Sequence, residues 1–436
     1  MAGLKAEETK TEKLTADMLI CPIKELVTAH SEKPLRKDAL KEVTRIENAA
    51  LAIKDGKIVK VGKMADVLES VDLKEDGLKL DAGDKLVTPG FVDPHTHLVF
   101  GGNRAGEFAM RCQGKSYAEI ANAGGGIVAS MRGTREASKD DLVDSGLLRL
   151  ERMLAHGTTT AEVKTGYGLD LDSEIRMLEA IFELDERQPI DLIQTFLPAH
   201  AVPPGQKRED YVEEVIEKIL PASITSLKKF DRAASSIYVD VFCDKGYFTL
   251  EDTRRIFEKA VSLGMKLRVH SDEFESLGAT KLAVEMGAAS ADHLLTICDE
   301  DMDLLSGSST IAVLLPGTSF FLNLSEHAPA RTMIDKGVAI AVGSDYNPGS
   351  CHIFSMPMIM GLACLHLGLS CEEALNATTV NSAFAIGQGK TIGQLAPGYQ
   401  ADIVLWDLGR LEEIPYNMGW NPVSTTIKNG VVAHQR

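Results

Sequence analysis

Two histidines, His95 and His97, stand two residues apart at the end of the apolar segment Leu86-Val87-Thr88-Pro89-Gly90-Phe91-Val92-Asp93-Pro94. Side chains alternate along extended backbone, so the two imidazoles face one way and can grip one cation together. Alone such a pair says little. Farther along the chain, His270, His293 and Asp345 each end a short strand-like run. His95, His97, His270 and Asp345 then offer three imidazoles and one carboxylate, an open first-row metal site with room for water. Zn²⁺ suits this mixture, and so does Fe, because histidine and carboxylate serve both. An ion held this way can bring the pKa of water from roughly 15.7 to about 7. Glu273, three residues beyond His270, is the natural proton shuttle to a leaving nitrogen. His293 reads better as a hydrogen-bond donor to that water or to a substrate oxygen than as a ligand. Asp345 also opens a turn-like stretch, Asp345-Tyr346-Asn347-Pro348-Gly349, so a plain turn is the competing reading there. No G-x-S-x-G nucleophile motif occurs.

These residues need a frame that gathers them. Short apolar, β-branched runs alternate with helical patterns, which predicts βα units and a parallel sheet. Eight strands are expected near Phe91–Leu98, Thr158–Lys164, Asp191–Ala199, Ile237–Cys243, Lys266–Ser271, Ala289–His293, Thr310–Leu315 and Val338–Ser344. Between them, Thr249-Leu250-Glu251-Asp252 reads as a capping box, followed by a stripe of Ile256, Phe257, Ala260 and Val261 with Gly264 to end the helix. Ile175, Leu178 and Phe182 form a similar stripe. Eight such units predict an α/β fold, a (β/α)₈ TIM-like barrel, with His95, His97, His200, His270, Glu273, His293 and Asp345 at the strands' carboxyl ends, where barrel sites form. An open doubly wound sheet is the alternative, but its G-x-G-x-x-G fingerprint is missing after the first strand.

The ends of the chain read differently. Asp55-Gly56 links two β-prone runs, a hairpin signal, and strand-like stretches recur at Ala401–Trp406 and Thr426–Val432. Both termini are therefore expected to build one small β-sandwich. The division is residues 1–88, a barrel over 89–390, and 391–436 completing the sandwich. Met1–Leu14 is expected to be disordered.

Composition narrows the class. The chain has 436 residues, 44% hydrophobic and 25% charged, with a formal net charge of −17. That charge opposes nucleic acid and anionic membranes as partners and means an anionic substrate needs a local cation. Seven scattered cysteines without a C-x-x-C pair read as reduced thiols of a cytoplasmic protein. No apolar run approaches the roughly 20 residues of a membrane span, and Met1–Lys13 lacks the apolar core of a secretory signal.

Several motifs resemble the amidohydrolase superfamily: Leu86–His97, His270-Ser271-Asp272-Glu273 and Gly343-Ser344-Asp345. Further stretches resemble the branch that opens an imidazolone ring in histidine breakdown: His97–Arg104, Val163–Leu169, Ala199–Pro203, Ser290–Leu294, Ala330-Arg331 and Ser344–Gly349. The likeness runs roughly from Leu86 to Gly389. It implies a metal-dependent C–N hydrolase that converts 4-imidazolone-5-propanoate to N-formimidoyl-L-glutamate, with one Zn²⁺ or Fe ion per subunit of a homodimer. By the same resemblance Arg104 takes the propanoate, and Tyr167 and His200 hold the ring. Glu273, His293 and Asp345 work at the bond being cleaved, while Asn347, Gly349 and Ser350 contact substrate. Arg104 has a duller alternative partner in Glu107. Superfamily members that hold two metals bridge them with a lysine ending the fourth strand. Here that strand ends Val241-Phe242-Cys243-Asp244, and Lys164 lies on the second strand, so one ion is expected. A cytosine- or guanine-type deaminase of the same superfamily is the alternative activity. A non-catalytic assembly protein is the alternative class, disfavoured because all four candidate ligands are present.

Overall fold

The chain enters the fold through a sheet that both of its ends share. The computed structural model describes residues 13–115, 119 and 124–436. Strands β1 (Leu14–Thr28), β2 (Thr44–Lys54), β3 (Lys57–Lys63), β4 (Val71–Leu80) and β5 (Gly83–Pro89) come first. β1 pairs antiparallel with β2 along one edge. Its other edge pairs in parallel with β4 up to Ile20 and with β5 from Ile23. The change of partner falls at Cys21-Pro22, where proline has no N–H for a ladder. Asp55 (φ 50°) and Gly56 (φ 75°) form the expected tight link between β2 and β3, both in the left-handed region that such hairpins need. Residues 1–12 of the segment expected to be disordered lie outside the described residues, and Leu14 already begins β1.

Eight parallel strands follow in sequence order: β6 (Phe91–Asp93), β7 (Thr158–Lys164), β8 (Asp191–Ala199), β9 (Tyr238–Cys243), β10 (Lys266–Ser271), β11 (Ser290–His293), β12 (Ile311–Leu314) and β13 (Ile340–Val342). This is the expected barrel. The first strand is shorter than its apolar run because Pro94 cannot donate to a neighbour. The backbone nevertheless stays extended past it. Asp345 N donates to His95 O at 3.0 Å and His97 N to Tyr346 O at 2.9 Å, which joins the last unit to the first. Helices fill the outer layer. Thr249 and Asp252 form a reciprocal capping box at the start of Leu250–Ser262, with Ile256, Phe257 and Ala260 buried. Val261, read as part of that stripe, is exposed. Asp170 caps Leu171–Arg187, whose Leu178 and Phe182 enter the core with Phe196 and Val239.

The chain then returns to the first sheet with β14 (Ile403–Trp406), β15 (Val423–Lys428) and β16 (Val431–Gln435). β14 lies antiparallel to β5. Trp406 Nε1 donates to Thr88 Oγ1 at 2.9 Å, and its ring meets Phe91 edge-on, so the sheet grips the segment that leads into the barrel. Gly90 sits between β5 and β6, where a Cβ would come within 2.3 Å of Thr159 Oγ1. All seven cysteines are free thiols. Among the described residues no helix is long and apolar enough to cross a membrane.

Candidate metal centre and substrate cavity

At the carboxyl end of the barrel, the side chains of His95, His97, His270 and Asp345 converge. His95 Nδ1 lies 2.7 Å from Asp292 Oδ2, and His270 Nδ1 lies 3.0 Å from Asp240 Oδ2. A carboxylate accepts only, so His95 carries its proton on Nδ1 and turns a bare Nε2 lone pair inward, whereas His270 Nδ1 lies against Asp240 without hydrogen-bond geometry. His95 Nε2 is buried and has no hydrogen-bond partner. His270 Nε2 lies 3.3 Å from His97 Nε2, and Asp345 Oδ1 lies 3.6 Å from Nε2 of both His95 and His97. Spacings of 3.3–3.6 Å are of the order that separates neighbouring nitrogen and oxygen ligands of one first-row ion. Ring nitrogens and a carboxylate oxygen crowded together in a buried place fit a cation. Three buried triads overlap here: His95, His97 and Asp345; His95, His270 and His293; His97, His200 and His270.

Protonation follows from burial. Desolvation, then the charges of Lys164 and neighbouring histidines, hold His95 well below the usual histidine range. Burial does the same for His97 and His293. They are neutral at pH 7 and free to act as ligands or acceptors. Burial pushes Asp345 up to about 6, against a hydrogen bond from Thr318 Oγ1 at 2.5 Å.

Beneath the ligands lies an ionic layer with no solvent exposure. Lys164 Nζ stands 2.8 Å from Glu162 Oε1 and 2.9 Å from Asp240 Oδ2. Arg268 Nη2 donates to Pro94 O at 2.8 Å and lies 3.7 Å from Asp292 Oδ2. Burial alone would lower the Lys164 pKa, but Asp240 and Glu162 outweigh it and raise it. Lys164 is thus a fixed ammonium below the site, engaged by two carboxylates.

Above the ligands opens a cavity of about 760 Å³. Glu273 enters it from the loop after β10, with Oε2 3.6 Å from His293 Nδ1. Burial, then Asp345 and Asp244, raise the Glu273 pKa well above the usual carboxylate range. His293 (φ 81°) and Asp345 (φ 51°) take left-handed backbone at the ends of their strands, a strain that persists where surrounding structure enforces it. His200 stacks on His97 with ring centroids 4.8 Å apart. Its Nδ1 donates to Gly166 O at 2.9 Å, and burial lowers its pKa to about 3. The ring is neutral and Nε2 is an acceptor, so it cannot donate to an oxyanion. It suits a ring N–H instead. Tyr167 is buried beside it, its hydroxyl kept protonated by desolvation.

Arg104 lines the cavity. Its Nε and Nη2 donate to one Glu107 oxygen at 2.9 and 2.7 Å, which is the local pair that the sequence allowed. Asn347 lines the wall, but its Oδ1 accepts from Gly349 N at 2.8 Å and Ser350 N at 2.7 Å. Its Nδ2 donates to Asp345 O at 2.7 Å and to Ser350 Oγ at 2.8 Å. That side chain shapes its own loop, and the Gly349 amide is already spent within it.

A family model described as "Amidohydrolase family" matches residues 86–433. The chain belongs to the amidohydrolase family. Within it, an imidazolonepropionase of Symbiobacterium thermophilum is 45% identical over 416 residues, covering 95% of this chain and 96% of that protein. One from Bacillus thuringiensis is 42% identical over 421 residues, covering 96% and 97%. The chain is therefore a member of the imidazolonepropionase branch. Solved structures share the amidohydrolase fold at lower identity. An Escherichia coli guanine deaminase has a TM-score of 0.71 at 15% identity, covering 96% of this chain and 99% of that one. A zinc-bound adenosine deaminase of Xanthomonas campestris has a TM-score of 0.67 at 18% identity, covering 96% and 93%.

Sequence reasoning passed over the residues that orient this amidohydrolase's histidines. Asp240, Arg268, Glu162 and Lys164 interrupt apolar strands, and Asp292 directly precedes His293. Charges inside strands that should be covered on both faces were the available signal. Arg268 and Asp240 sit in phase with the ligand side of their strands, since Arg268 is two residues before His270.

Proposed function

We propose that this hydrolase opens the ring of 4-imidazolone-5-propanoate to give N-formimidoyl-L-glutamate. The reading rests above all on one juxtaposition: buried imidazole nitrogens and Asp345 gathered beside a cavity that Arg104 also lines. His95, His97, His270 and Asp345 would hold one Zn²⁺ or Fe ion. When bound, that ion supplies Lewis acidity, which brings the pKa of a water toward about 7 and polarises a carbonyl.

The chain's own side chains account for the rest. Arg104 takes the propanoate carboxylate by paired N–H donation. His200 Nε2 accepts from a ring N–H and Tyr167 donates to the ring's polar edge, which orients the carbonyl carbon. Asn347 holds the loop that carries Gly349 and Ser350 against the substrate. As water adds to the carbonyl carbon, Asp345 or His293 receives its proton. The ring C–N bond breaks, and Glu273, whose raised pKa favours the acid form, gives a proton to the departing nitrogen. Oxygen from water ends in the new carboxylate, and no ammonia leaves. The protein works in this reading as a cytoplasmic homodimer.

The test is incubation of metal-replete protein with 4-imidazolone-5-propanoate, following loss of ring absorbance and assaying ammonia. Ring loss with N-formimidoyl-L-glutamate and no ammonia is expected. An inert ring, together with ammonia released from cytosine or guanine, would establish the deaminase alternative instead.

A further inference from the structure

The helix Ala105–Cys112 begins next to Arg104, and residues 104, 107 and 111 recur on one of its faces. That face lines the cavity. Arg104 is not a free cation there, because Glu107 takes two of its donors on one oxygen. The pair is close to electrically neutral. A carboxylate arriving beside it finds geometry but little net charge.

One turn farther along stands Arg111. Its Nη2 donates to Gly349 O at 3.2 Å. Its guanidinium carbon lies 5.2 Å from the centre of the Phe321 ring and 5.9 Å from that of Phe108, and those two rings meet at 5.3 Å. The aromatic faces hold the planar cation in place. Burial lowers its pKa, followed by the repulsion of Arg104, which marks how near the two guanidiniums lie. Both also converge on Gly349: the Arg104 guanidinium packs where that residue's Cβ would be. The other cation on the wall, Lys115, is paired with Glu119 at 2.9 Å.

We infer that Arg111 is a specificity-determining residue for the substrate carboxylate, and that Glu107 is its built-in counterweight. The inference rests on the proposed substrate. Two arginines and one glutamate leave a single positive charge on this wall of the cavity, which matches one propanoate carboxylate. Arg104 gives the directed hydrogen bonds, and Arg111 gives the net charge that makes a carboxylate preferable to a neutral side chain.

Arg111→Met keeps an apolar stem between the two rings while removing the charge. With 4-imidazolone-5-propanoate its KM should rise at least tenfold while kcat stays within twofold of wild type. With a 4-imidazolone bearing a neutral alkyl chain, KM should be the same for variant and wild type. Glu107→Gln should lower KM for the propanoate severalfold. An Arg111→Met KM within twofold of wild type overturns the inference, and so does an equal rise for the neutral compound, which would mean the side chain acts by shape. A higher KM in Glu107→Gln overturns the counterweight. Should wild-type protein leave the ring intact, the functional reading falls on its own. Calorimetric binding of imidazole-4-propanoate to the same three proteins then still decides the inference, with at least tenfold weaker binding to Arg111→Met expected and equal binding overturning it.

Discussion

Replacing Gly349 by alanine puts a methyl group where the Arg104 guanidinium now lies. The added Cβ would come within 1.8 Å of Arg104 Nη1, 2.4 Å of Cζ and 3.0 Å of Nη2. Reaching an ordinary contact of 3.4 Å means a retreat of about 1.6 Å by the guanidinium. Gly349 is not among the residues with positive φ, so alanine fits its backbone without strain. What must yield is the far end of a flexible side chain, and the fold should lose no more than about 0.5–1 kcal/mol. Substrate recognition is another matter. A hydrogen bond to a charged group contributes about 1.5–3 kcal/mol, and a displacement of this size removes the alignment that paired donors need. That corresponds to a loss of about 10- to 150-fold.

The assay is steady-state turnover of 4-imidazolone-5-propanoate by wild-type and Gly349→Ala protein, beside chemical denaturation of both. The expected outcome is a near-normal unfolding midpoint with kcat/KM down by the stated factor, mostly through KM. A variant within twofold of wild type would refute the placement of the propanoate at Arg104. A variant that unfolds would refute the claim that the guanidinium can move cheaply.

His200→Ala should reduce kcat/KM about 5- to 150-fold, the loss of one acceptor worth about 1–3 kcal/mol, while thermal stability changes far less; near-normal turnover would remove His200 from the substrate. Lys164→Met strips the cation from Glu162 and Asp240. Breaking such a buried pair should cost about 3–5 kcal/mol in denaturant titrations, and chelator competition should show metal held about 10- to 100-fold more weakly. Unchanged metal retention would refute its positioning role. Glu174 receives the amides of Gly166, Gly168 and Leu169, yet burial pushes it up to about 7 from 4.5. A carboxyl whose pKa is raised by folding binds its proton more tightly in the native state. Its contribution is therefore full below about pH 4.5 and lost as pH rises through about 7, by about 3 kcal/mol in all. The stability difference between wild type and Glu174→Gln should trace that fall, and a difference independent of pH would refute it.

The barrel was legible because its strands are covered on both faces and so read as short apolar runs. Tyr238–Cys243 and Lys266–Ser271 fall almost residue for residue where the pattern puts them. The first strand was overdrawn, because hydrophobicity continues through Leu98 while Pro94 ends the ladder at Asp93. His95, His97, His270 and Asp345 were visible as polar residues ending apolar runs, and the fold does bring them together. What sequence could not give is direction. The tautomer of His200 depends on Gly166 O, 34 positions away, and the pairing of Arg104 depends on which rotamer Glu107 adopts. Helical spacing allows the Arg104–Glu107 contact but does not choose it over a substrate-facing guanidinium. Arg111 was missed for a similar reason, since an arginine on a short helix usually reads as a solvated face.

Charge explains why so many ionisable groups are tolerated under this site. Lys164 and Arg268 against Glu162, Asp240 and Asp292 leave one negative charge in the fully buried layer, and Asp345 brings a second above it. Burying this set is costly on its own, because desolvation penalties exceed what imperfect pairs return. Two surplus negative charges close around inward-facing imidazole nitrogens become favourable once a divalent cation stands among them. Asp292 then does two things at once: it fixes the proton of His95 on Nδ1, and with Asp240 it contributes to the field that retains the ion. Lys164 and Arg268 oppose the burial that raises the Asp292 pKa. An apolar layer of equal volume would pack as well but leave His95 free to choose the wrong tautomer. The buried charges are therefore better read as apparatus that sets the direction of His95 and holds charge near the ligands than as a source of barrel stability.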